Sequence, residues 1–308
     1  MAGFRGRQAS TLGVPIVYHE AYSAPELPVG HRFPMGVFRC IYDTLIREGK
    51  VSASQVHRPQ VPALELQAAL ELVHDAHYLQ RFQSGTLSAA EERRIGFGEA
   101  VRSAKLIERT LAEVAGTLVT AELALKHGLA CNTAGGTHHA HHAAGSGFCV
   151  VNDLAVAAAA LLQAGRVKRI LILDLDVHQG DGTACIFQGQ PEVYTCSVHA
   201  AANFPARKAT SSRDIALPDG TGDDAYLQVL GGLLPEVLRD AQPDLVMYDA
   251  GVDVHADDVL GRLALSDDGI RRRELMVLDS VLAANIPLAG FVGGGAARAI
   301  FEAPLSIL

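Results

Sequence analysis

The chain has 308 residues, 49% of them hydrophobic and 19% charged, a balance that supports a large buried core and excludes a disordered or low-complexity protein. A formal net charge of −8 and an isoelectric point near 5.9 give no footprint for DNA or RNA, although a local basic patch is compatible with them. No run free of charge and glycine approaches bilayer length, and the start lacks a secretory apolar region.

Residues 1–15 read as an ordinary disordered start; Arg5, Arg7, Ser10 and Thr11 without acidic company give it a faint transit-peptide composition. The cysteines Cys40, Cys131, Cys149, Cys185 and Cys196 are scattered and form no CxxC pair, which reads as reduced thiols in a cytoplasmic compartment. Pro34, the apolar series Phe38, Ile41, Tyr42, Leu45 and Ile46, and Gly49 predict a helix with its start and stop signals. A second helix is predicted from Pro62 to about Phe82, and a longer one from about Gly98 to Lys126.

Beyond that point short apolar runs alternate with helical stretches. Ile170 to Leu173, Val193 to Val198, Leu245 to Tyr248 and Pro287 to Val292 read as strands buried on both faces; Asp153 to Gln163, Asp224 to Arg239 and Asp267 to Ala283 read as helices. This alternation predicts an α/β fold, a mainly parallel sheet covered by helices on both faces, in one domain over residues 1–308. In such sheets ligands collect beyond the carboxyl ends of strands, where the clusters beginning at Asp174 and Asp249 fall.

The chemistry is concentrated in three segments: Gly135-Gly136-Thr137-His138-His139, Ser146-Gly147-Phe148-Cys149, and Asp174-Leu175-Asp176-Val177-His178-Gln179-Gly180-Asp181-Gly182. Asp174, Asp176 and His178 recur every two residues, so an extended backbone would turn all three to one side. Asp176 and His178 offer two metal ligands, and Asp253, beyond another predicted strand, is the best-placed third for an open site that binds and activates water. One aspartate alone would be read as a helix cap, and one histidine as a core residue; several together at strand ends favour a metal. His138 and His139 need partners to fix their tautomers, and Asp174 and Asp181 are the available carboxylates. His141 and His142 read as solvent-facing.

These motifs together resemble the zinc-dependent histone deacetylase family, particularly its class IV-like branch. The likeness runs from Val17-Tyr18 through His31-Arg32-Phe33-Pro34-Met35 and Val73-His74-Asp75 to Gly290-Phe291-Val292-Gly293-Gly294-Gly295. The resemblance implies an arginase/deacetylase-like fold, zinc on Asp176, His178 and Asp253, His139 as general base polarised by Asp181, and His138 paired with Asp174 as the second imidazole. It further implies an acyl-lysine channel lined by Phe148 and Phe204, with the Gly147 carbonyl near its mouth. A monovalent cation, potassium, is implied on Asp174, Ser197 and the carbonyls of Asp176, His178 and Val198. The implied partner is an acyl-lysine protein or peptide, with no direct nucleic acid and no membrane; no sequence feature sets an oligomeric state.

Two positions depart from that pattern. Active relatives place a tyrosine after the terminal glycines, where its hydroxyl supports the developing oxyanion; here Gly295 is followed by Ala296, and loss of such a donor costs roughly a hundred- to a thousand-fold in rate. Polyamine deacetylases of the family carry a glutamate seven residues after the third zinc ligand, where this chain has Leu260. The leading expectation is a zinc amidohydrolase acting on acyl-lysine, with activity weakened by Ala296. Its rivals are a ureohydrolase reading Asp253-Val254-His255-Ala256-Asp257-Asp258 as part of a paired-metal site, and a non-catalytic acyl-lysine or partner binder.

Overall fold

The run Ile170–Leu173 has no polar side, and the computed structural model, which describes residues 13–295, shows why. Ile170 and Ile172 enter one buried cluster and Leu171 and Leu173 the other, so the strand separates two apolar layers. Leu245 and Met247 divide from Val246 and Tyr248 in the same way. The strands are β1 (Ile16–Val17), β2 (Val56–His57), β3 (Leu129–Asn132), β4 (Ile170–Asp174), β5 (Val193–Ala200), β6 (Arg213–Leu217), β7 (Leu245–Asp249) and β8 (Leu288–Phe291). They pair in the order β2-β1-β3-β8-β7-β4-β5-β6, every pairing parallel.

Helices α1 (Val37–Arg47), α2 (Ala63–Glu71), α3 (Ala76–Gln83), α4 (Ala89–Ile95), α5 (Ala104–His127), α6 (Asp153–Gln163), α7 (Asp181–Ile186), α8 (Asp223–Ala241) and α9 (Asp267–Ala283) complete the layers. Apolar residues of α2, α3, α5 and α6 pack on one face of the sheet, and those of α1, α8 and α9 on the other. No helix among the described residues is long and apolar enough to cross a membrane.

Several predicted elements change at their ends. Gly98–Arg102 is a 3-10 turn, and α5 starts after Ser103, whose hydroxyl accepts from the Leu106 amide. The helix predicted from Pro62 to Phe82 is interrupted between α2 and α3, where Asp75 caps the new helix by accepting from the Tyr78 amide at 2.8 Å. Strands β1, β2, β3 and β6 were not predicted. At the N-terminus, residues 1–12 lie outside the described part, whereas Pro15 is buried and its carbonyl accepts from the Cys131 amide at 3.0 Å, so the expected disorder does not extend to it.

The interruption after α2 places His74, which is 1% exposed. Its Nδ1 meets the carbonyls of His141 and His142 at 3.0 and 3.2 Å, and its Nε2 accepts from the Asn152 amide at 2.9 Å. This pattern requires a neutral ring donating through Nδ1. Burial pushes its pKa down to about 4.

A second buried polar group holds the strand-end loops. Arg273 on α9 is 0% exposed and donates to the carbonyls of Leu175, Gly251 and Ala250 at 3.1, 2.8 and 3.3 Å. Its charge is matched by Glu274, which also accepts from the Tyr248 hydroxyl at 2.6 Å. One guanidinium thereby joins the loop after β4 to the loop after β7.

Arg273→Met is expected to destabilise the chain by about 3–5 kcal/mol, because Glu274 is left buried without its cation. A denaturant midpoint within error of the parent would contradict this. For His74 the folded pKa lies below the unfolded one, so in the window from about 6.5 down to about 4 the unfolded chain binds the extra proton and stability falls with pH. The full contribution, on the order of 3 kcal/mol, is present above that window. Unfolding free energies of the parent and His74→Gln should therefore converge as pH falls from about 6.5 to about 4, and a constant difference would count against this role.

Candidate active site

Strand β4 ends at Asp174, and the next residues do not stay extended, the condition under which the two-residue spacing would turn all three side chains to one side. Asp174 Oδ1 accepts from the Asp176 amide at 3.1 Å, and Asp176 Oδ1 from the His178 amide at 2.8 Å; these turns of side chain onto backbone curl the segment. Asp174 consequently faces His138, whereas Asp176 and His178 meet Asp253 from the loop after β7. The Val177 amide donates to Asp253 Oδ1 at 2.8 Å and fastens the two loops together.

His178 Nδ1 lies 3.0 Å from Asp176 Oδ1 and 3.1 Å from Asp253 Oδ2, and ligand atoms from all three residues fall within 4.8 Å of one another. Its other nitrogen lies 3.4 Å from the Asn203 amide nitrogen. The glycine run after β8 closes the group: a Cβ on Gly294 would stand 2.4 Å from Asp176 Oδ2 and 2.9 Å from Asp253 Oδ2. Burial opposes charge on all three groups. Burial and then the Asp176 charge raise the Asp253 carboxyl to about 7, while the carboxylates overcome burial and raise His178 to about 10. Two carboxylates and an imidazole converging this closely fit a divalent cation with an open position, and the donor set suits zinc.

The tandem histidines arrive from the other side of the sheet. Strands β8 and β7 lie between β3 and β4, so the loop after β3 must cross roughly 14 Å to reach Asp174. Asp153 and Asn152 hold it there. Asp153 accepts from the Gly136 and Thr137 amides at 3.3 and 2.7 Å, and the Asn152 side-chain amide donates to the His138 and Ala140 carbonyls at 3.3 and 3.2 Å. Gly136 has φ +83°, and a Cβ there would lie 2.6 Å from Asp249 Oδ1, so both the turn and the close approach require glycine.

Each imidazole rests on a carboxylate, with His138 Nδ1 2.8 Å from Asp174 Oδ2 and His139 Nδ1 2.7 Å from Asp181 Oδ1. Their electrostatics diverge. Burial works against a charged His138, but Asp174 and Asp176 outweigh it and hold its pKa well above the usual histidine range. Burial and the neighbouring His138 charge lower His139 to about 3.

A cavity of about 700 Å³ joins these groups, with Gly147, Phe148, Phe204 and Leu260 in its wall. Gly147 fits between His139 and Phe204, because a Cβ there would lie 2.6 Å from the His139 ring and 3.2 Å from Phe204. The Phe204 and His139 ring centres are 4.8 Å apart, edge to face. Phe148 has φ +65°, a costly conformation for an aromatic residue, and its amide donates to the Ile95 carbonyl at 2.7 Å. Asp174 and Ser197 are register partners on β4 and β5; the Ser197 hydroxyl lies 3.0 Å from His199 Nδ1.

Three placements differ from expectation. His141 is not simply solvent-facing: its Nε2 lies 3.1 Å from Asp181 Oδ2, while His142 is exposed as expected. His255 and Asp257 do not join the ligand group, since His255 faces Asp267 at 3.3 Å and Asp257 is exposed. Asp249, treated only as the start of a cluster, is 0% exposed, and neither carboxylate oxygen has a hydrogen-bond partner. It stands 3.7 Å from His138 Nδ1, and burial followed by the Asp174 charge holds its carboxyl well above the usual range. Apart from its place at a strand end, Asp249 has no sequence signal; Asn203 has none either. Ala296 lies outside the described residues.

Residues 31–302 match the histone deacetylase domain family. An uncharacterised protein of a Picosynechococcus species is 50% identical over 291 residues, covering 94% of this chain and 95% of its own length. Histone deacetylase 2 of Arabidopsis thaliana is 29% identical over 291 residues, covering 92% and 74%. Among solved structures, an acetylpolyamine aminohydrolase of Burkholderia pseudomallei shares the fold, with a TM-score of 0.77 at 20% identity over 96% of this chain and 97% of that one. The family match spans residues 31–302 of the 308, and the chain therefore belongs to the histone deacetylase family.

Proposed function

We propose that the chain is a zinc-dependent deacylase of the class IV-like branch, a single catalytic domain over residues 1–308 that hydrolyses the amide of an acyl-lysine side chain in a protein or peptide of the cytoplasm. The observation that carries this reading is the convergence of Asp176, His178 and Asp253 with two carboxylate-backed imidazoles in one cavity. Zinc bound there would polarise the amide carbonyl and make bound water acidic.

Chain groups supply the rest. Neutral His139, oriented by Asp181, accepts the water proton; charged His138, held by Asp174 with Asp249 behind it, donates to the departing amine. Phe148 and Phe204 enclose the apolar stem and exclude water. Asp174, Ser197 and the carbonyls of Asp176, His178 and Val198 are proposed to hold potassium, which would adjust the field at both imidazoles. A paired-metal ureohydrolase draws no support from His255 and Asp257, which turn away from the ligand group.

One zinc per chain is expected by metal analysis, and an Asp176→Asn, Asp253→Asn double variant should lose it; full retention would sink the ligand assignment. With Ala296 where relatives carry the tyrosine donor, acetyl-lysine peptides should be cleaved weakly and trifluoroacetyl-lysine peptides comparatively well, because the electron-poor acyl group stabilises its own oxyanion. Ala296→Tyr should raise the acetyl-lysine rate by about tenfold or more. Turnover of acetyl-lysine by the parent as fast as by tyrosine-bearing relatives would show that another group supplies the donor. Leu260 cannot pair with the second amine of a polyamine, so acetyl-lysine should outcompete acetylspermidine in side-by-side kinetics.

A further inference from the structure

The cavity wall around Phe148 carries positive charge that no described carboxylate pairs with. Arg32, Arg93 and Arg94 line the cavity and are exposed, and none has a carboxylate at ion-pair distance among the described residues. The acids adjacent to Arg93 and Arg94 in the sequence are committed elsewhere: Glu91 pairs with Arg81 at 2.6 Å, and Glu92 pairs with Arg102.

Backbone contacts place these arginines at the mouth. Arg93 and Arg94 occupy the last turn of α4, where the Arg94 carbonyl accepts from the Gly147 amide at 3.2 Å and the Ile95 carbonyl from that of Phe148 at 2.7 Å. Arg32 comes from the segment before α1: the adjacent His31 meets the Gly96 carbonyl at 3.1 Å, and its ring centre is 5.8 Å from that of Phe148. Elsewhere in the wall Arg262 is paired with Asp219 at 3.1 Å, and the Asp258 carboxylate accepts from the Leu260 and Gly261 amides at 2.8 and 2.9 Å. Deeper in the cavity Arg109 is paired with Glu113 at 3.0 Å.

Basic residues suit a helix C-terminus, which would account for Arg93 and Arg94 but not for Arg32, which lies outside that helix. A positive rim on a chain of net charge −8 is also no by-product of composition.

We propose that Arg32, Arg93 and Arg94 form a specificity rim that selects acyl-lysine flanked by aspartate or glutamate. The inference rests on the acyl-lysine reading, since a lysine stem in the channel leaves its peptide neighbours outside, at the level of the rim. Guanidinium groups bind carboxylates through paired N–H donors, and at an exposed rim they act mainly on association and KM.

The test compares trifluoroacetyl-lysine peptides of equal length carrying glutamate or lysine at the flanking positions, each normalised to a capped trifluoroacetyl-lysine without neighbours. The glutamate peptide should show about five- to tenfold higher kcat/KM at low salt, through KM, and lose most of that advantage at high salt. The triple variant Arg32→Glu, Arg93→Glu, Arg94→Glu should invert the order. Equal kcat/KM for the two peptides, or a preference that survives charge reversal, would overturn the proposal. So would equally strong competition by single-stranded RNA, which would mark the rim as a general polyanion surface. If the capped substrate is not hydrolysed either, the deacylase reading fails separately; the rim is then read from anisotropy titrations of the same labelled peptides with the purified chain, where equal affinities would refute it.

Discussion

Parallel register sets Asp174 and Asp249 side by side at the ends of β4 and β7, and the loops that follow add Asp176 and Asp253 to the same buried neighbourhood. Enclosed charge of one sign is strongly unfavourable unless it is offset. The carboxylates raise the pKa of His138 and His178 against the effect of burial, and burial followed by the Asp174 charge raises that of the Asp249 carboxyl, shifts that all lower the negative charge. A divalent cation held by Asp176, neutral His178 and Asp253 would offset the carboxylate charge in place of the His178 proton. Arg273 cannot do so, because its charge is matched by Glu274; its part is to hold the loops that carry the carboxylates.

The strands that bear the site could be recognised because they are buried on both faces. In β4, β5, β7 and β8 almost every residue must be apolar, which makes a charge-free run stand out, and α6 and α9 are marked by Asn152 and Ser266 at their caps. The missed strands give no such run. β1 and β2 have two residues each, too few for any period. β3 has only four residues, the last of them polar, and β6, at the sheet edge, begins with Arg213 and Asp214 and is mostly not buried.

The site was legible in its parts, and less so in its arrangement. Tandem histidines, a third candidate ligand at another strand end and a carboxylate for each imidazole follow from residue types near strand ends, and the structure brings these side chains together. The two-residue spacing puts all three side chains on one side only in an extended backbone, and aspartates accepting from amides two residues ahead bend this one out of a strand. His141 and Asp249 depend on tertiary approach across long sequence separations, which spacing does not reveal.

Asp181 serves two rings at once, one on each oxygen. The His139 side chain is 5% exposed and lines the cavity; that of His141 is 25% exposed and does not. A hydrogen-bonded line thus leads from an enclosed imidazole to the surface by a route separate from the channel between Phe148 and Phe204. An occupant filling the cavity would leave this connection through Asp181 to His141 open, a path by which a proton could pass between His139 and bulk water.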